Sequence, residues 1–80
     1  MIEKDIIYKV SIDNSSYTLS LKKEEKYFYK IENAKTFLLH SYIKDFNIYD
    51  EKQIMDINAE IAYKYNIKDY GWIEVIEVED

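Results

Sequence analysis

Asp5-Ile6-Ile7-Tyr8-Lys9-Val10-Ser11-Ile12-Asp13 decides the fold, because its apolar side chains alternate. Ile6, Tyr8, Val10 and Ile12 fall on one face, Lys9, Ser11 and Asp13 on the other, and only Ile7 breaks the pattern. A period of two is that of a half-buried strand, so the chain builds a sheet with one face on a core. A second alternation follows in Tyr17, Leu19 and Leu21, and Asn14-Ser15 between them suits a two-residue hairpin turn, since Asn tolerates a positive φ. Pairing Asp13 with Ser16 sets Ile12 opposite Tyr17, Val10 opposite Leu19 and Tyr8 opposite Leu21, so register and hydrophobic pattern agree.

Lys22-Lys23-Glu24-Glu25-Lys26 then reads as a polar connection, and Tyr27, Tyr29 and Ile31 as a third strand, with an extension of the next helix as the competing reading. Asn33 is placed to cap a helix through Phe46, with Phe37, Leu38, Tyr42 and Phe46 at helical spacing and Asn47 ending it. A second helix opens with Asp50 and Gln53 at capping-box spacing and carries Ile54, Ile57, Ile61, Ala62 and Tyr65 as a stripe. Asn66 and the single glycine, Gly71, mark its exit. Trp72 to Val78 reads as a closing strand whose acids interrupt both faces, the pattern of a protected edge. The expected fold is α+β in the order β-β-β-α-α-β: a small antiparallel sheet with two helices on one face, residues 1–80 forming one domain.

A chain of this size commits most of its apolar side chains to the core, which leaves little for a deep pocket. With no Cys and one His, neither a disulfide nor a structural zinc is available, so stability comes from packing alone, which nine Tyr, three Phe and Trp72 can supply, or from self-association. No apolar run approaches a membrane span, and Met1-Ile2-Glu3-Lys4-Asp5 lacks the pattern of a signal peptide, so a cytoplasmic protein is expected. All eleven basic residues are Lys. Without the bidentate fork of Arg, sequence-specific reading of nucleic acid is disfavoured.

The residues that could carry chemistry have plainer readings. His40 sits beside Ser41, which points about 100° away around a helix and is badly placed for a nucleophile and base pair. Carboxylates are scattered rather than grouped at ligand spacing, so no metal or cofactor is implied. Asp56 and Glu60 lie in the row Lys52-Asp56-Glu60-Lys64, a solvated salt-bridge ladder. Lys22, Lys23, Lys26 and Lys30 interleave with Tyr27, Phe28 and Tyr29 as in a single-strand nucleic-acid surface, but Glu24, Glu25 and Glu32 sit among them and the chain is acidic overall.

The positive signal is where the charge lies. Residues 1–68 are balanced, and the whole net charge of −5 falls on Asp69, Glu74, Glu77, Glu79 and Asp80. On an extended strand Glu77 and Glu79 project to one side and Glu74 to the other. Tyr70 and Trp72 lie next to them as candidate aromatic anchors, and Tyr49 and Tyr63 are further aromatics without an evident core position. Such a strand either engages a basic groove or only keeps the edge soluble.

In size, acidity, absence of Cys and mixed β/α content the chain resembles the small inhibitors made by phages and mobile elements, anti-CRISPR proteins among them. Those proteins share no common fold, and the resemblance carries no residue over. It implies a non-enzymatic protein-binding inhibitor that occludes a basic surface, in particular a nucleic-acid-binding one, of a larger effector protein in a bacterial or archaeal host. Partner-binding residues are then Tyr70, Trp72, Glu74, Glu77, Glu79 and Asp80, with no direct nucleic acid and no membrane as partner. The alternatives are a self-assembling homodimer paired through its closing strand, and an immunity protein or antitoxin.

Overall fold

The computed structural model describes residues 5–13 and 23–78. Their elements follow in the order β-β-α-α-β-β: β1 (Asp5–Asp13), β2 (Lys23–Phe28), α1 (Ile31–Phe46), α2 (Glu51–Lys64), β3 (Asn66–Ile67) and β4 (Gly71–Val78). The strands form one antiparallel sheet in the order β2-β1-β4-β3, and the fold is α+β.

β1 keeps its expected bounds and face: Val10 and Ile12 are buried, and Tyr8 packs against the core. Its neighbours differ from the expected hairpin. Glu24, Lys26 and Phe28 stand opposite Ile12, Val10 and Tyr8 on one side, and Gly71, Ile73 and Val75 on the other. β2 and β4 fill both edges of β1, on one of which Tyr17, Leu19 and Leu21 were expected. Those residues and the Asn14-Ser15 turn lie outside the described residues. The strand beside β1 is instead built largely from the supposed polar connection. Long Glu and Lys side chains can cover apolar surface with their stems while their heads stay wet. Phe28 supplies the apolar anchor, its ring 5.5 Å from that of Phe37, and the Lys26 ammonium lies 4.9 Å from the Phe37 centroid. The third strand therefore stops at Phe28, and Ile31 opens α1.

α1 begins two residues before the expected cap. Lys30 occupies the cap position with no side-chain hydrogen bond, and Asn33 falls inside the first turn. The end is as expected: Asn47 adopts a left-handed φ of 52°. Ile48 N–H then reaches back to Ile43 O at 3.1 Å and the Ile48 side chain is buried, a Schellman-type ending. At the start of α2, Asp50 Oδ2 accepts from Gln53 N–H at 3.1 Å, the cap its spacing predicts. Ile57 and Ile61 are buried, Ile54 and Tyr65 partly so, and Ala62 is exposed. Tyr65 ends the helix with φ 58° and turns the chain into β3, a short strand where only a helix exit was expected.

α1 lies across β1, β2 and β4, whereas α2 packs on α1 and β3. Gly71 sets how closely α1 descends. A Cβ built there would stand 2.6 Å from Leu38 Cδ1 and 3.1 Å from the Ser11 carbonyl oxygen, and Leu38 is fully buried with nowhere to retreat. Gly71→Ala is expected to cost about 1–3 kcal/mol, the usual range for overpacking, read as a lower urea midpoint with an unchanged slope.

Candidate protein-binding surface

Antiparallel register assigns each strand residue to a face. On the helix side lie Tyr8, Val10, Ile12, Ile73 and the ring of Phe28. On the other side lie Ile7, Lys9, Ser11 and Asp13 of β1, Lys23, Glu25 and Tyr27 of β2, and Trp72, Glu74, Ile76 and Val78 of β4. Among the described residues no helix packs over this second face. It is a mixed surface. Tyr27 is 60% exposed, and Trp72 and Val78 are each 39% exposed.

The sequence-selected residues divide between the two faces. Trp72 and Glu74 share the open face, and the indole Nε1–H donates to Glu74 Oε1 at 3.2 Å. That bond holds an aromatic plate beside a carboxylate. Glu77 pairs across from Ile6 and belongs to the opposite face, as the strand period requires. Glu79 and Asp80 lie outside the described residues.

Tyr70 is a correction. It is fully buried, and its ring meets those of Tyr42 and Phe46 edge-on at 5.2 and 5.7 Å. Its hydroxyl donates to Asp45 Oδ2 at 2.5 Å. It is a core residue and offers no surface to a partner. β4 is also not the outermost strand, since it lies between β1 and β3, although β3 covers only Gly71 and Trp72. Of the other unassigned aromatics, Tyr49 and Tyr63 are 84% and 88% exposed.

Two neighbours on the open face, Tyr27 and Lys9, are not among the expected partner-binding residues. Tyr27 was grouped with Phe28 and Tyr29, yet strand alternation separates it from Phe28 and turns it outward. Lys9 reaches Glu25 at 2.5 Å, and this hydrogen bond raises the Lys9 pKa above its ordinary value. A shallow hollow of about 310 Å³ opens beside Trp72, bordered by Ser11, Asp13, Lys23 and Glu25.

The remaining candidates stay apart from this face. His40 is exposed on α1, beside a second depression that it shares with Ser41, Lys44 and Asp45. Glu60 bonds Lys64 at 3.6 Å, one rung of the expected ladder. Among the described residues no three His, Asp or Glu side chains converge as metal ligands, and no helix is long and apolar enough to cross a membrane.

Comparison of the chain with family models, curated proteins and solved structures finds no match.

The Tyr70 pair yields a pH test. Burial first, and then the Asp45 carboxylate, push the Tyr70 pKa well above its ordinary 10.0. The folded state thus keeps a proton that the unfolded chain loses, so this contribution is complete below about pH 10 and declines as pH rises beyond it. Tyr70→Phe is expected to lower stability at neutral pH by about 1.5–3 kcal/mol, the range for a hydrogen bond to a charged group. It should also flatten the fall in denaturant midpoint above pH 10, and an unchanged slope there would refute the assignment.

Proposed function

We propose that this chain is a non-enzymatic protein-binding inhibitor that covers a basic, nucleic-acid-binding surface of a larger protein in the cytoplasm of a bacterial or archaeal host. The observation that carries the reading is the pairing of Trp72 with Glu74 on the sheet face that the described helices leave open. A plate of this kind supplies buried contact area, and the adjacent carboxylate supplies sign. The charge distribution supports it, since residues 69–80 carry five acids and no Lys. An acidic strand flanked by an aromatic side chain presents to a cationic groove what a phosphate track and a base would present. Tyr27, exposed on the same face, widens the apolar part of the contact.

The experiment is capture from host extract with tagged protein, identification of what is held, and titration of the purified partner bound to labelled nucleic acid. Wild type is expected to displace the nucleic acid at near-stoichiometric ratios. Trp72→Ala with Glu74→Gln should weaken displacement at least about tenfold, given the usual weight of a central aromatic, with the thermal midpoint little changed. A captured partner whose nucleic acid is not displaced would sink the occlusion reading.

A further inference from the structure

We propose, resting on the protein-binding reading above, that β4 receives an extended basic segment of its partner as an added strand along its outer edge, with a Lys or Arg of that segment opposite Glu74.

Backbone direction along β4 is fixed by two bonds. Tyr70 O accepts from Asp13 N–H at 2.8 Å on the β1 side, and Ile73 N–H donates to Tyr65 O at 2.7 Å on the β3 side. In an antiparallel ladder the amides of alternate residues face the same edge. Val75 therefore turns both its N–H and its C=O away from β1. β3 ends opposite Trp72, and no described strand continues past it. Val75 is 50% exposed. Of the usual guards against strand addition this edge has no Pro and no Lys, only the acids Glu74 and Glu77, which repel an acidic strand and admit a basic one.

The charges choose the occupant. Lys9 stands opposite Glu74 on the inner side, but its ammonium is engaged by Glu25 of β2. Glu25 reaches Lys9 diagonally, since Tyr27 stands directly opposite Lys9, so the row across the sheet runs Tyr27, Lys9, Glu74 and its next place lies beyond the outer edge. Opposite charges directly across a strand pair stabilise it, and like charges destabilise it. A second copy of β4 has no Lys to set there, so β4 against β4 would place an apolar side chain or another Glu opposite Glu74. The complement is a strand of different composition. An acid opposite Glu77 is disfavoured for the same reason. The favoured segment therefore reads basic, apolar, apolar, basic, with its two middle residues against Val75 and Ile76.

The test uses a synthetic peptide, Ac-Thr-Lys-Val-Val-Lys-Thr-amide, with two controls: the same peptide with Glu replacing both Lys, and the Lys peptide N-methylated at alternate residues in either phase. Hydrogen exchange at the Val75 amide is followed by NMR during titration. The Lys peptide is expected to slow Val75 exchange at millimolar concentration, the Glu peptide to bind about tenfold more weakly, and one N-methylated phase to abolish the effect. Val75→Pro, which removes an outward N–H and leaves the β1 ladder intact, should lose binding; if that variant does not fold, the N-methylated pair gives the same answer on the native chain. The proposal is overturned if the Lys peptide leaves Val75 exchange unchanged, if the Glu peptide binds equally, if both N-methylated phases bind, or if Val75 is already protected in the free protein. Displacement of nucleic acid from the captured partner by Val75→Pro as by wild type would also end the strand-addition proposal while leaving the occlusion reading standing.

Discussion

The hydroxyl of Tyr70 donating to Asp45 fixes how the sheet meets the helices. A phenol at the centre of a small core needs an acceptor, and α1 supplies it from its last turn. The same residue is tied through its backbone to the turn after β3, where its N–H donates to Ile67 O, and to β1, whose Asp13 N–H donates to Tyr70 O. Its ring meets Tyr42 and Phe46 on α1. One residue thus joins α1 through its side chain to β1 and β3 through its backbone. Gly71, the next residue, removes the Cβ that would hold Leu38 off the sheet.

Much of the fold was legible because its signals are local. The alternation in Asp5–Asp13, the cap at Asp50 and the stop at Asn47 each depend on side chains a few residues apart, and each is found as read. The partner of β1 was not legible. Alternating Tyr17, Leu19 and Leu21 look more like its neighbour than Lys23-Glu24-Glu25-Lys26 do, since nothing local in four charged residues marks a strand. Their place follows from Phe28 pairing with Tyr8 and docking its ring on Phe37 of α1, contacts between separate elements that a local pattern does not show. The candidate surface was half legible. Strand period put Glu74 and Glu77 on opposite faces, but it could not tell that Tyr70, just before the strand begins, turns into the core while Trp72 turns out.

The two faces of the sheet differ in composition and exposure. Beneath the helices, Val10, Ile12 and Ile73 meet Leu38 and Ala34 in a continuous core. On the reverse, Trp72, Tyr27 and Val78 are mixed with Lys9, Glu25 and Glu74. Aromatic side chains with an apolar body and a polar tip suit such a surface, since they lie against a neighbour or in water at moderate cost. Substitutions on that side are expected to change association more than stability, and substitutions beneath the helices the reverse.

The pairing of β1 with β4 joins Asp5 to Val78 and Ile12 to Gly71, so the two longest strands of the sheet are separated in sequence by both helices. During synthesis the helices can form as they emerge, but the hydrophobic row of β1 waits for a neighbour that is made after both of them. Until residues 71–78 leave the ribosome, Tyr8, Val10 and Ile12 lack one flank, and an incomplete chain carries an open, sticky strand. The nascent chain is therefore most exposed to chaperones and proteases in the interval between the emergence of α2 and that of β4.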